Sequence, residues 1–241
     1  MSRGGKAHNW YYDELKQVGV DYTDKIMVEE YDSDMQNLRD IKKELEEIST
    51  SISLKADQVI IEIGTGTGEF GIEASKYCKK VIAVDVSKAM LDFAHEKAKM
   101  RKRSNIEFVH GGFLTYTHQG ELADVVITQL ALHHLPDFWK MVALKRISKM
   151  LKDGGRLYIR DVVFPSGVED YDGFFNKIIN RLEIEVGAKI AEETKIHIKE
   201  EYSTFDWIME SLLTKAGFTL DEIKYYNEFL ATYVCTKKKS S

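Results

Sequence analysis

The sequence predicts an α/β fold: a mostly parallel sheet of seven strands that ends in an antiparallel hairpin. Three observations carry this. An apolar run, Val59-Ile60-Ile61-Glu62-Ile63, leads straight into glycines on alternate positions, Gly64, Gly66 and Gly68. Apolar β-branched segments and helical segments then alternate to the end of the chain, the pattern of a parallel sheet with crossover helices. The last two strand segments, 219–226 and 229–236, lie too close together for a helical crossover and must pair antiparallel.

The elements follow in order. Residues 1–50 precede the alternating pattern. They hold Trp10, Tyr11, Tyr12, Leu15, Val18, Tyr22 and Tyr31, then the charged stretch Arg39 to Ile48. In that stretch Ile41, Leu45 and Ile48 share one helical face, with Lys42–Glu46 and Lys43–Glu47 outward. Strands are predicted at 57–63, 80–84, 105–110, 122–128 and 154–162, with helices at 67–77, 87–102, 137–151 and 204–216. Ser87 is placed to cap the second of these helices. Residues 164–203 interrupt the spacing after the fifth strand. They carry an aromatic and apolar series from Tyr171 through Phe175 to Ile184, then His197 and Tyr202. Lys195 to Trp207 reads as a loop into a helix capped by Ser203 or Thr204, supported by Asp206.

In an open parallel sheet the ligand crevice lies beyond the carboxyl ends of the strands. Residues 1–50, as an N-terminal helical lid, and the insertion 164–203 are expected to cover it and form the substrate pocket. The competing reading makes both plain packing helices. Residues 51–241 form the main domain, and the whole is expected to be one globular unit, since no repeat, low-complexity tract or linker divides it.

The chain has 241 residues, 44% hydrophobic and 30% charged, which suits one sizeable core. Its net charge is −5, and no basic, aromatic-studded face suggests nucleic acid. The cations Lys97, Lys99, Arg101, Lys102 and Arg103 read as a solvated helix end favoured by the helix dipole. No stretch approaches the ~20 apolar residues that cross a bilayer, and Met1 to Lys6 lacks the apolar core of a secretory signal. Cys78 and Cys235 have no metal-type spacing, so a reduced, cytoplasmic setting is expected.

The chemistry is concentrated where the strands end. Glycines after the first strand turn the chain sharply and let a ligand press against backbone. Asp85, at the tip of the second strand Lys80-Val81-Ile82-Ala83-Val84, can accept hydrogen bonds from both hydroxyls of a ribose. A dinucleotide fingerprint would require a third glycine at position 69, which is Glu69. A nucleoside-like ligand is therefore expected, with another nucleotide as the alternative.

The run Glu62-Ile63-Gly64-Thr65-Gly66-Thr67-Gly68 resembles the first motif of the class I S-adenosylmethionine-dependent methyltransferases. The strand–Asp85–helix segment resembles their second motif. The resemblance spans roughly residues 57 to 237 and implies a Rossmann-like sheet of the order just described. It implies a cofactor site of Glu62, Gly64, Thr65, Gly66, Gly68 and Asp85, with Val86 and Met90 against the adenine. Relatives commonly carry an acid at Gly112 that accepts from the adenine amino group. Gly112 cannot do so, which leaves backbone near Phe113 and packing on Val86.

The segment Ala123 to Asp137 resembles the fourth motif, and its Leu132-His133-His134-Leu135-Pro136 run is similar to ubiquinone- and menaquinone-biosynthesis methyltransferases. This implies that Gln129 and Leu130 line the cofactor and that His133 or His134 faces the transfer site. His134 has the intrinsic pKa of a general base; capping a loop is the competing role. Tyr11, Tyr12, Tyr22, His197 and Tyr202 are expected to touch substrate. Asp161, at the end of the fifth strand beside the crevice, is expected to pair with Arg160 or a lid residue, with orienting substrate as the competing role. No metal site is expected, because adjacent His133 and His134 should point apart. The expected function is transfer of a methyl group from S-adenosylmethionine to a small molecule, with S-adenosylhomocysteine as product. A macromolecular acceptor and a non-catalytic cofactor-binding protein are the alternatives. Expected partners are the acceptor and, as one possible arrangement, a second copy in a homodimer, with no nucleic acid and no membrane.

Overall fold

Strand β1 (Val59–Ile63) is buried at all five positions. It lies between β2 (Lys80–Asp85) and β4 (Ala123–Gln129), both parallel to it. A strand covered on both faces cannot alternate polar with apolar, which explains the uninterrupted isoleucine run. These observations come from a computed structural model that describes residues 9–16, 18, 19, 28, 31, 32, 40–226 and 228–239.

The sheet order is β3-β2-β1-β4-β5-β8-β7, with β3 at Ile106–His110, β5 at Leu151–Phe164, β7 at Phe218–Tyr226 and β8 at Leu230–Lys237. β8 runs antiparallel to both β5 and β7, as the short connection required. A two-residue strand, β6 (Thr204–Phe205), adds a parallel pairing to the end of β5 that the sequence did not signal. β5 begins at Leu151, ahead of the expected 154, because Leu151 pairs with Ala123 across a register shift. The chain order reverses between β1 and β4, so a crevice opens beyond their carboxyl ends.

Seven α-helices are described. α1 (Ile41–Ile52) is capped by Asp40, which accepts from the Lys43 N–H, and buries Leu45, Ile48 and Ile52. α2 (Glu69–Ala74) is shorter than expected, with Gly68 as N-cap. α3 (Lys88–Met100) is capped by Ser87 as predicted, its Oγ accepting from Met90 N at 3.2 Å. α4 spans Asp137–Met150. The insertion folds into α5 (Tyr171–Glu185) and α6 (Ala188–Glu200), and α7 spans Asp206–Lys215.

Three local expectations are corrected here. Residues 195–200 belong to α6 rather than to a loop, and the N-cap of α7 is Phe205, with no side-chain cap. Helical period wins there because Ala191, Thr194 and Ile198 lie on one face of α6. Lys97 is not solvated: it is buried and donates to Asp32 and, at 2.9 Å, to Glu69. Its flexible stem carries the ammonium to acids that lie far off in the sequence. Among the described residues no helix is long and apolar enough to cross a membrane.

Candidate active site

The turn after β1 builds one end of the crevice. Gly64 N and Thr65 N donate to the Val84 carbonyl, which ties the turn to the tip of β2. Gly64 has φ +80° and lies so close to Ala131 that an added Cβ would collide with that residue's methyl group. Gly66 has φ +53°, and an added Cβ would meet nothing within 4 Å. One glycine is thus demanded by packing, and the other leaves bare backbone facing open space. Glu62 is buried, and its Oε2 accepts from the Thr65 hydroxyl at 2.7 Å.

Asp85 is held by the same turn. Its Oδ2 accepts from Gly66 N at 2.7 Å and its Oδ1 from Ser87 N at 2.8 Å. Burial raises the pKa of this carboxyl, and the N–H groups of Ser87, Gly66 and Val86 hold part of that rise back. Each oxygen keeps a further lone pair for a ligand hydroxyl.

The other end begins where β4 stops. Leu130 adopts the left-handed region, φ 51°, and its N–H donates to Arg160 O at 2.8 Å. That reversal sends the chain into a short 3-10 helix, Leu132–His134. The tight turn brings the His133 and His134 rings to 4.4 Å between centroids. The expectation that they point apart is therefore wrong, because it assumed strand or α-helical geometry.

His133 lies between two carboxylates. Its Nδ1 meets Asp161 Oδ1 at 2.5 Å, its backbone N–H donates to Asp161 Oδ2 at 3.1 Å, and its Nε2 lies 3.2 Å from Glu201 Oε2. Burial alone would lower its pKa, but Asp161 and Glu201 outweigh this and push it up to about 9. His133 is thus a buried cation at neutral pH. His134 goes the other way: burial, and then the charge on His133, lower it to about 4, so its ring is neutral. Glu201 also lies 2.5 Å from His197 Nδ1, while His197 Nε2 is 2.8 Å from Ser203 Oγ. The imidazoles hold Glu201 well below the usual carboxylate range, despite its burial.

Asp161 does not pair with Arg160. In β5 neighbouring side chains point to opposite faces, so Asp161 meets His133 while Arg160 reaches Glu44 of α1 at 2.8 Å. Among the described residues one set, His133, His134 and Glu201, offers three possible metal-ligand atoms within 4.8 Å of one another. Both ring nitrogens of His133 already face carboxylates.

A single cavity of about 500 Å³ joins the two ends. Of the expected cofactor residues, Glu62, Gly64, Thr65, Gly66, Asp85, Val86, Met90, Gly112, Phe113, Gln129 and Leu130 line it, as do His133, His134, Tyr12 and His197. Gly68 caps α2 instead. Tyr11 packs edge-on against Trp139 at 4.7 Å; Tyr202 donates its N–H to His133 O at 2.9 Å and sets its ring edge-on to Tyr12 at 6.4 Å, and neither Tyr11 nor Tyr202 lines the cavity. Tyr22 lies outside the described residues. Arg160, expected beside the crevice, faces the cavity, and sequence reasoning missed Glu14 and Glu201, which also face it. No local motif marks either of those two.

Residues 60–155 match a family model described as a methyltransferase domain. An uncharacterized methyltransferase of Geobacillus kaustophilus is 29% identical over 192 residues, covering 80% of this chain and 82% of that protein. A demethylmenaquinone methyltransferase of Lactococcus lactis is 28% identical, covering 75% and 73%. Among solved structures, an N-methyltransferase of Bradyrhizobium japonicum in complex with S-adenosylhomocysteine superposes with a TM-score of 0.59 at 17% identity, covering 82% of this chain and 87% of that one. The chain has the fold of the Rossmann-like methyltransferases, and its sequence over residues 60–155 resembles the methyltransferase domain family.

Proposed function

We propose that this protein transfers a methyl group from S-adenosylmethionine to a small-molecule acceptor. The observation that carries the reading is the single cavity running from the Gly64–Gly66 turn and Asp85 to the His133–His134 corner.

The residues fit the cofactor on three counts. Gly66 presents backbone to open space. The Asp85 carboxylate is braced by two N–H groups and keeps lone pairs for a ribose. Gln129 and Leu130 end β4 on the wall between the two ends. When bound, the sulfonium supplies an electrophilic methyl group, and its charge disperses as the methyl leaves.

The protein's own contribution is positioning and exclusion of water. Such effects suit a reaction whose charge disperses. Leu135, Val162, Leu182 and Ile190 give the histidine end an apolar wall, with Tyr12 closing it from the N-terminal segment. Tyr12 donates to the His134 carbonyl at 3.1 Å and holds that corner in place. His134, neutral, accepts a hydrogen bond from the acceptor's hydroxyl or amine and orients it. Its low pKa makes it a weak base, so the reading favours an acceptor that loses its proton readily. The His133 cation is spent on Asp161 and Glu201, and that buried trio fixes the corner that carries His134. This assignment needs no metal. Residues 1–50 and 164–203 serve as the acceptor's enclosure, since both contribute wall residues.

Calorimetry with S-adenosylhomocysteine tests the reading. Binding that Asp85→Ala weakens supports it. No binding by the unaltered chain sinks it.

A further inference from the structure

We infer that Glu14, from the N-terminal segment, is the residue that reads the base of the nucleoside and selects one bearing an exocyclic amine. This rests on the reading that the cavity takes S-adenosylmethionine.

The placement follows from the geometry of the crevice. Asp85 grips the sugar, so the glycosidic bond carries the base one ring further along the cavity. The walls there are Val86, Met90, Gly112, Phe113 and Glu14. All but Glu14 offer the base apolar surface or backbone. A Cβ built on Gly112 would lie 2.6 Å from Glu14 Oε2, 2.7 Å from Glu14 Cδ and 2.8 Å from Val86 Cγ1. The carboxylate of residue 14 therefore occupies the space that a side chain at 112 would fill. The absence of a side chain at 112 is what admits it.

The carboxylate is built in rather than resting there. Glu14 Oε1 accepts from Leu114 N at 2.9 Å, from Thr115 N at 2.6 Å and from Thr115 Oγ1 at 2.7 Å. Among the described residues Oε2, the oxygen nearer Gly112, shares only the Leu114 N–H at 2.9 Å. Oε1 is thus spent on the loop after β3, and Oε2 keeps accepting capacity toward the cavity. The segment is anchored two residues earlier, where the Tyr12 hydroxyl bonds to the His134 carbonyl and Tyr11 packs on Trp139. Anchoring of the preceding residues at Tyr11 and Tyr12, and of the carboxylate on Leu114 and Thr115, fixes where Oε2 sits, which is what selectivity between similar bases requires.

The chemistry decides the base. An ionised carboxylate only accepts hydrogen bonds. An adenine amino group donates to it. A hypoxanthine carbonyl at the same position presents a second acceptor, and two unpaired acceptors in a desolvated site repel.

The test compares S-adenosylhomocysteine with S-inosylhomocysteine by calorimetry on the full chain. The unaltered protein is expected to prefer the adenosyl compound by 30-fold or more. Glu14→Gln, whose amide can donate to a carbonyl, is expected to cut that preference to under 5-fold, as is Glu14→Ala. A Glu14→Gln protein that keeps the full preference would overturn the inference. So would a Glu14→Ala protein that weakens both compounds equally, since the residue would then only hold the segment in place. If the unaltered chain binds neither compound, the cofactor reading itself falls and this one with it.

Discussion

Nδ1 of His133 lies 2.5 Å from Oδ1 of Asp161, so a buried ion pair joins the turn after β4 to the middle of β5. Asp161 is 1% exposed and His133 6%, and burial at that depth makes each charge depend on the other. Asp161→Asn leaves an imidazolium with one carboxylate fewer. The expected loss is about 3–5 kcal/mol of unfolding free energy, read by urea denaturation. A change under 1 kcal/mol would show that the pair does not hold the corner.

Alkaline pH should loosen the same corner. His133 has its folded pKa raised to about 9 from an ordinary 6.5. Its stabilisation is therefore complete below about 6.5 and is lost as pH rises through about 9, on the order of 3 kcal/mol in all. Thermal melts across that window should fall for the unaltered chain and fall less for Asp161→Asn.

Acid should act through the neighbouring ring. His134 has its folded pKa lowered to about 4, so the unfolded chain takes up a proton first. Stability is complete above about 6.5 and declines as pH falls toward 4. His134→Gln removes that titration, and its melting curve should be flatter than that of the unaltered protein between pH 6.5 and 4. Parallel curves would refute the buried, neutral ring.

The two glycines of the β1 turn should separate folding from binding. Gly64→Ala meets a φ of +80° and the methyl group of Ala131. Left-handed strain of about 1–2 kcal/mol adds to overpacking of about 1–3 kcal/mol. Gly66→Ala carries the strain alone, but its methyl group projects into the cradle. Gly64→Ala should show the larger fall in melting temperature, and Gly66→Ala the larger loss of S-adenosylhomocysteine affinity relative to its melting change.

Asp85 offers the direct test of the sugar grip. Asp85→Asn keeps one acceptor oxygen, and one charge-assisted bond is worth about 1.5–3 kcal/mol. The expected weakening is roughly 10- to 150-fold, and Asp85→Ala should exceed it. Equal affinity for all three proteins would move the ribose elsewhere.

Much of this was legible without coordinates. The isoleucine run, the alternate glycines and the Asp85 tip are local patterns, and each landed where its period put it. The Ser87 cap and the closing hairpin are equally local. The histidine corner was legible only in part. His133 and His134 were singled out and His134 was named as the candidate base, but the surroundings that lower its pKa to about 4 and raise that of His133 to about 9 leave no mark on two identical side chains one position apart.

The sequence by itself determined the sheet, its order of elements and the crevice end that carries the glycines, because hydrophobic period and turn chemistry act over a few residues. Tertiary structure alone decided that Asp161 turns to His133 while Arg160 turns to Glu44, and that Glu201 lies against two imidazoles. It also brought Glu14 into the space beside Gly112. Those partners lie from 4 (His197 and Glu201) to 116 (Glu44 and Arg160) residues apart in the chain. Charges buried together select one another by distance and desolvation in the folded state, and linear spacing carries no record of either.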